Sequence, residues 1–192
     1  MATKTGQSIR FDEEQVRATG RSTAGVKAIE LEPGDEVVGL ARTDAERKFV
    51  LAICERGYGK RTPIEEFRIQ NRGGKGIILI DCSDRNGPVV GIAMVKPEDE
   101  VMIITDRGQT IRTPIEGIRE TGRNAQGVKV MRIEDDERVV AIEPINEGQN
   151  DATLAGAGEE TLDEGAPSGE SLPPPGPADD DQGPEDGGQQ DA

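Results

Sequence analysis

The chain has 192 residues, of which 38 are acidic and 23 basic, so its formal net charge is −15. It contains no histidine, which excludes a serine–histidine triad and a histidine-ligated zinc site. No apolar run approaches the roughly 20 residues that span a membrane, and the N-terminus lacks a signal-peptide pattern, so no membrane partner is expected. The two cysteines, Cys54 and Cys82, do not form a CxxC pair and each lies in an apolar run, so we expect buried thiols in the reducing cytoplasm.

The charge divides the chain into two parts. All 23 basic residues lie before position 146, where they nearly balance 25 acidic residues, whereas residues 146–192 carry 13 acidic residues and no basic one. This second segment is rich in proline and glycine and has no aromatic residue, so it cannot bury enough apolar surface to offset its ordering entropy. We therefore predict a folded domain over 1–145 and a disordered acidic tail over 146–192.

A 51-residue repeat organises the first part. Glycines recur at 6, 57 and 108 and again at 25, 76 and 127, and "RTPIE" occurs at 61–65 and 112–116. In chain order the apolar runs are "DEVVGLA", "FVLAIC", "GIILI", "GPVVGIAMV", "EVMIIT" and "ERVVAIEPI". Each run is short, rich in β-branched residues and bounded by turn residues, which favours strands over helices.

A repeat of this length with about four short strands has the size of a propeller blade. We predict an all-β, propeller-like fold of about three four-stranded blades: repeat one (1–47), repeat two (48–98) and repeat three (99–145). Because repeat one begins within a predicted strand, we expect the chain to be a fragment of a longer protein.

Nine arginines recur at three positions of the repeat. The first slot holds Arg10, Arg61 and Arg112; the second slot holds Arg17, Arg68 and Arg119; the third slot holds Arg21, Arg72 and Arg123. They could be solvated charges, or partners of nearby glutamates in surface pairs worth about 0–1 kcal/mol each. A rotational repeat would instead place them along a curved rim, and such a basic arc is the electrostatic footprint of a polyanion.

Duplex DNA held by its phosphates is the polyanion that this pattern favours, because one tyrosine and three phenylalanines offer little stacking surface for single strands. The glycine-rich stretch "QNRGGKG" (70–76) and the hairpin tip "GYGK" (57–60) add further candidate contacts. We predict that Lys60, Lys75 and the backbone of Gly73 and Gly74 join the nine arginines in binding phosphates, and we expect the acidic tail to compete with DNA for them. No metal-binding residue is predicted.

Four stretches together resemble the C-terminal domain of DNA gyrase A: "GYGKRTPIEEFRIQNRGGKG", "DRNGPVVG", "TDRGQTIR" and "GRNAQGVKVMRI". The resemblance covers about residues 3–145. It implies a β-pinwheel around which DNA wraps, supporting ATP-dependent negative supercoiling by a topoisomerase holoenzyme formed with the rest of gyrase A and with gyrase B. It implies no catalytic residue and no cofactor in this chain, and a place on the bacterial nucleoid.

One stretch departs from the family pattern. Residues 70–76 match the family's glycine-rich box except at Asn71, where the box has arginine. Two alternatives stay open: the equivalent C-terminal domain of topoisomerase IV, and a propeller-type scaffold that binds proteins and not DNA.

Overall fold

The computed structural model describes residues 1–145; the predicted disordered tail, 146–192, lies outside the described residues. Within 1–145 the structure contains only strands and three one-turn 3-10 helices, at Glu13–Gln15, Ile64–Glu66 and Ile115–Gly117. None of the helices described is long and apolar enough to cross a membrane. The strands are β1 (Ala2–Thr3), β2 (Gln7–Ser8), β3 (Val37–Gly39), β4 (Phe49–Cys54), β5 (Tyr58–Pro63), β6 (Ile77–Ile78), β7 (Val89–Val95), β8 (Glu100–Thr105), β9 (Thr110–Pro114), β10 (Val128–Lys129) and β11 (Val139–Ile145).

The strands form three antiparallel sheets, one for each repeat. Their orders are β3-β1-β2-β6, β10-β5-β4-β7 and β11-β8-β9. Two sheets therefore have four strands, and the third has three within the described part of the chain. The prediction of an all-β, propeller-like fold is confirmed.

Each later repeat contributes a strand to the sheet of the repeat before it, which we call strand exchange. Strand β6 belongs to repeat two but pairs with β2 of repeat one, with Ile77 opposite Ser8. Strand β10 of repeat three pairs in the same way with β5 of repeat two, with Val128 opposite Gly59. Each of these sheets is thus completed by the repeat that follows it, a pairing the sequence pattern did not predict.

Strand β4 is buried on both faces, which is why it reads as an uninterrupted apolar run. Side chains alternate across a strand, so Leu51 and Ile53 enter a core shared with repeat three, while Ala52 and Cys54 enter a core shared with repeat one. Burial of a large aliphatic side chain contributes about 1.5–3 kcal/mol. The six residues of β4 therefore stabilise the packing of repeat two against both repeat one and repeat three.

Candidate nucleic-acid interface

Each second-slot arginine follows one of the three 3-10 helices after a single intervening residue. In each helix one turn closes when the residue before the arginine donates its N–H to the first helical carbonyl, as Phe67 does to Ile64 at 3.1 Å. That residue is extended, and its side chain is buried in Phe67 and Ile118. Because side chains alternate along extended backbone, the arginine that follows points outward.

Arg17, Arg68 and Arg119 are all exposed, and none of them makes a side-chain hydrogen bond or ion pair to another residue of 1–145. We call these three residues the arginine row. They occupy equivalent positions in the three repeats, each after the same kind of 3-10 turn, which is what a ligand contacted once by each repeat requires.

The third-slot arginines of repeats two and three lie at the junctions, by which we mean the contacts between one repeat and the next. Arg72 donates from Nε to the Gln15 carbonyl at 3.0 Å and from Nη1 to the Lys27 carbonyl at 2.9 Å. Arg123 repeats this arrangement one unit further on, donating from Nη1 to the Ile78 carbonyl at 3.2 Å. These two guanidinium groups tie each repeat to the one before it, whereas Arg21, their equivalent in repeat one, is exposed.

The first slot also lies at the junctions. Arg10 is partly buried and donates from Nη1 to the carbonyls of Ile64 and Phe67 at 3.0 and 3.2 Å. Arg61 is partly buried with its guanidinium 5.1 Å from the centroid of the Phe49 ring. Arg112 is exposed and forms an ion pair with Glu100. Of this slot only Arg112 lies open to a ligand, and a phosphate there would compete with a carboxylate.

Lys60 is not on the surface. It is 1% exposed, and its ammonium group donates to the carbonyls of Gly122 at 2.7 Å and Arg123 at 2.6 Å. Burial lowers the pKa of Lys60 from 10.5 to about 8, which leaves the group charged at neutral pH. The predicted phosphate contact at Lys60 therefore disagrees with the structure, because the ammonium group is buried between repeats two and three and donates to carbonyls there.

Two backbone groups of the glycine-rich stretch 70–76 are hydrogen-bonded to repeat one. The Gly73 N–H donates to the Ala28 carbonyl at 2.6 Å, and the Gly74 carbonyl accepts from the Glu30 N–H at 2.9 Å. Gly73 therefore has no free N–H for a phosphate. Lys75 remains exposed, with its Nζ 4.0 Å from a Glu32 carboxylate oxygen that is also exposed.

A second basic cluster surrounds Tyr58 on β5. The Arg85 guanidinium lies 4.8 Å and the Lys129 ammonium 5.1 Å from the centroid of its ring. The hydrogen bond to Arg85, followed by the Lys129 charge, lowers the pKa of Tyr58. Sequence reasoning did not select Arg85 and Lys129. Lys129 could have been identified from its position opposite Tyr58, but only once the pairing of β10 with β5 is known.

The structure thus separates the predicted contacts into two groups. Those open to a ligand are Arg17, Arg21, Arg68, Lys75, Arg112 and Arg119; those engaged in junctions are Arg10, Lys60, Arg61, Arg72, Gly73 and Arg123, and Gly74 lies beside them. Across residues 1–145, no three histidine, cysteine, aspartate or glutamate side chains converge in a way that could hold a metal ion.

The repeated antiparallel sheets with their exchanged strands define a propeller-like β-pinwheel. The family model described as "DNA gyrase C-terminal domain, beta-propeller" matches residues 1–44, 48–96 and 99–146. The chain belongs to the DNA gyrase C-terminal domain family.

Curated relatives agree with this assignment. The chain is 46% identical over 140 residues to DNA gyrase A of Staphylococcus epidermidis, covering 72% of this chain and 16% of the relative. It is 43% identical over 149 residues to DNA gyrase A of Deinococcus deserti, covering 76% of this chain and 18% of the relative. The chain therefore spans less than a fifth of the length of these relatives.

Solved structures show the same fold. A structure of the DNA gyrase A C-terminal domain matches with a TM-score of 0.68 at 26% identity, over 76% of this chain and 49% of that one. The C-terminal domain of DNA topoisomerase IV matches with a TM-score of 0.70 at 23% identity, over 74% of this chain and 45% of that one. The chain spans about half of each of these domains.

Proposed function

We propose that this chain binds duplex DNA along the arginine row and wraps it, as the C-terminal module of a gyrase A protein. The observation that carries the proposal is the row itself: three exposed arginines in equivalent positions, without a partner in residues 1–145. Arg21, Lys75 and Arg112 extend the basic surface, and the cluster of Tyr58, Arg85 and Lys129 adds a second place for phosphates.

Wrapping is the second part of the proposal, and the recurrence of the arginine row in successive repeats supports it. Bending a short duplex smoothly costs on the order of 1–6 kcal/mol, and contacts repeated on successive sheets offset that cost only if the DNA follows the rim. Because the contacts are to phosphates, binding is insensitive to sequence and steeply dependent on salt.

The larger setting of the module is part of the proposal. Its partners would be the remainder of gyrase A and the separate gyrase B chain, on the bacterial nucleoid in the cytoplasm, and its role would be to support ATP-dependent negative supercoiling by that holoenzyme. Residues 1–145 would act as the DNA-binding module. The curated relatives, which are gyrase A proteins, favour gyrase over topoisomerase IV as the parent enzyme.

Charge reversal in the arginine row tests DNA binding. The variant carries Arg17→Glu, Arg68→Glu and Arg119→Glu, and the control carries Arg42→Glu, Lys48→Glu and Arg132→Glu, which changes the net charge equally at exposed positions outside the row. Duplex affinity is measured by fluorescence anisotropy over a range of salt concentrations. The slope of log K against log salt should fall by about 2.7 in the row variant, from about 0.9 for each phosphate contact.

The same pair of variants separates the proposal from its alternatives. If both variants lose affinity alike, the effect is one of net charge and the row is not the interface. If the unaltered chain shows no salt-dependent duplex binding, a protein-binding scaffold is the better explanation. Wrapping is measured separately by ligating a nicked plasmid in the presence of the chain: wrapped DNA retains superhelical turns after deproteinisation, and merely bound DNA does not.

A further inference from the structure

The two cysteines of the chain, Cys54 and Cys82, lie in the same apolar cluster between repeats one and two. Both are free thiols. Cys54 ends β4 and is 0% exposed, whereas Cys82 lies on irregular backbone after β6 and is only partly buried. The prediction of buried thiols is thus confirmed for Cys54 but not for Cys82, which remains partly exposed.

Strand pairing and packing hold the two thiols together. Cys54 lies opposite Val89 where β4 pairs with β7, and the Val89 N–H donates to the Cys82 sulfur. The thiols of Cys54 and Cys82 are also hydrogen-bonded to each other. On its other side the Cys82 sulfur contacts repeat one, because a Cβ on Gly6 would lie 2.8 Å from it. The Cys82 sulfur is therefore enclosed by β4 of its own repeat and by the Gly6 turn of the repeat before it.

This arrangement makes the two thiols chemically unlike. The hydrogen bond from Cys54 lowers the pKa of Cys82, and the Val89 N–H also lowers it, while partial burial opposes both effects. The same thiol hydrogen bond, together with burial, raises the pKa of Cys54. The thiolate is the nucleophilic form of cysteine, and oxidation follows thiolate character and exposure. Cys82 is therefore the thiol that an oxidant meets first, and Cys54 is placed to react second.

We propose that this pair is a site of reversible modification by peroxides, with Cys82 as the reactive thiol and Cys54 as the resolving thiol. The Cys82 thiolate attacks one oxygen of a hydroperoxide and becomes a sulfenic acid. The O–O bond breaks, and the other oxygen leaves with the proton that Cys82 released, as water or an alcohol. The Cys54 sulfur then attacks the Cys82 sulfur, the S–O bond breaks, and hydroxide leaves with the Cys54 proton as water.

The electrons balance in this sequence. The two sulfurs together lose the two electrons that reduce the peroxide, and a disulfide joins them. A dithiol reverses the step by exchange, since it becomes a disulfide itself and returns both cysteines to thiols. A reducing cytoplasm therefore keeps the pair reduced until peroxide is present.

The disulfide would close a loop from Cys54 to Cys82 that contains β5, the 3-10 helix Ile64–Glu66 and the exchanged strand β6. Closing such a loop restricts the unfolded chain and stabilises the folded one. A disulfide also holds its sulfurs about 2 Å apart, so the two thiols must approach each other. Cys82 is the residue free to shift, since β4 pairs on both sides, and its contact with Gly6 links the oxidation to the junction of repeats one and two.

Peroxide treatment of the full native chain tests the chemistry without any substitution. The chain is exposed to one equivalent of hydrogen peroxide, the remaining thiols are alkylated, and peptides are mapped by mass spectrometry. The expected product is a Cys54–Cys82 disulfide within one chain, which dithiothreitol converts back to two thiols. Disulfides between chains, or two thiols that survive while free cysteine in the same solution is consumed, would overturn the proposal.

Two matched variants test the separate roles, because Cys54→Ser and Cys82→Ser each leave one thiol. Cys54→Ser should stop at a sulfenic acid on Cys82, which dimedone traps. Cys82→Ser should give about tenfold less adduct or lower still, because the remaining thiol is buried. A brief pulse of iodoacetamide on the native chain gives the same comparison in case a variant folds poorly, and Cys82 should be alkylated first. Equal labelling of the two cysteines in either experiment contradicts the assigned roles.

Thermal unfolding measures the effect of the disulfide on the fold. The oxidised native chain should unfold about 5 °C or more above the reduced chain, and dithiothreitol should remove the difference. Cys82→Ser controls for oxidation of the four methionines, and the same peroxide treatment should leave its unfolding temperature unchanged. An equal shift in both chains, or no shift in the native chain, would overturn the link between the disulfide and the stability of the fold.

Discussion

Replacing Lys60 with alanine should destabilise the fold substantially, although the substitution removes a buried charge. The ammonium group donates to two carbonyls of repeat three, those of Gly122 and Arg123, at 2.7 and 2.6 Å. Hydrogen bonds from a charged donor contribute about 1.5–3 kcal/mol each, and both carbonyls would be left without this partner. Loss of three buried methylene groups adds about 2.4 kcal/mol at about 0.8 kcal/mol each.

The cost of burying the charge opposes these terms. A pKa lowered from 10.5 to about 8 corresponds to about 3 kcal/mol, which the alanine variant recovers. The net loss on Lys60→Ala is therefore about 2–5 kcal/mol. Lys60→Met keeps the length of the side chain and should lose about 2 kcal/mol less than alanine.

The pH dependence gives a second measurement of the same burial. Between pH 8 and 10.5 the unfolded chain keeps a proton on Lys60 that the folded chain has released, so the stability of the native chain rises with pH in that window. Relative to Lys60→Met, it should rise by up to about 3 kcal/mol, and this gain is lost as the pH falls back from 10.5 to about 8.

Urea denaturation of the three chains at neutral and at alkaline pH measures both effects. A free energy of unfolding for Lys60→Ala within about 0.5 kcal/mol of the native chain would refute the reasoning, because that is the expected effect at a surface site. A flat pH profile for the native chain relative to Lys60→Met would show that the ammonium group is solvated.

Three further substitutions probe the junctions and the tyrosine cluster. Gly76→Ala should lower the free energy of unfolding by about 3 kcal/mol or more, because its Cβ would lie 2.3 Å from the Ser8 carbonyl oxygen. Gly34→Ala is the matched control, since it has nearly the same φ and its Cβ would meet nothing within 4 Å. A loss of stability at Gly76 no larger than the loss at Gly34 would contradict the packing. Asn86→Ala should cost about 2–4 kcal/mol, because the buried amide donates to the Asp81 and Gln126 carbonyls at 2.9 and 3.1 Å, and near-native stability would argue against this bridge. Tyr58 is the single tyrosine, so ultraviolet titration should report a pKa below the ordinary 10.0 that rises in Arg85→Ala; an unchanged titration would place Arg85 away from the ring.

The strands were largely predictable because their signals are local. "FVLAIC" and "EVMIIT" coincide with β4 and β8, since short apolar runs between turn residues have few alternatives to strand. "GIILI" was a weaker prediction: only Ile77 and Ile78 are in β6, because pairing with repeat one ends there. The exchange itself was invisible, since a periodic sequence fixes the length of the repeat and not the neighbour with which a strand pairs.

Which basic side chains remain exposed was less predictable from the sequence. All three slots hold arginine at the same spacing, but Arg72 reaches two carbonyls of the preceding repeat while Arg68, four residues earlier, faces solvent. Lys60 is a similar case, because its two acceptors lie 62 and 63 residues away and no local pattern includes them. Periodicity identifies equivalent residues, but only the packing shows which of them remain free for a ligand.

The exchanged strands have a consequence for synthesis on the ribosome. The sheet of repeat one is finished only when Ile77–Ile78 emerges, about thirty residues into repeat two, and the sheet of repeat two waits for Val128–Lys129 in the same way. Folding therefore lags behind translation by more than half a repeat, and every nascent chain ends in an unfinished edge. Such edges are where neighbouring chains pair wrongly. Each newly synthesised repeat therefore completes the sheet of its predecessor while exposing an edge of its own.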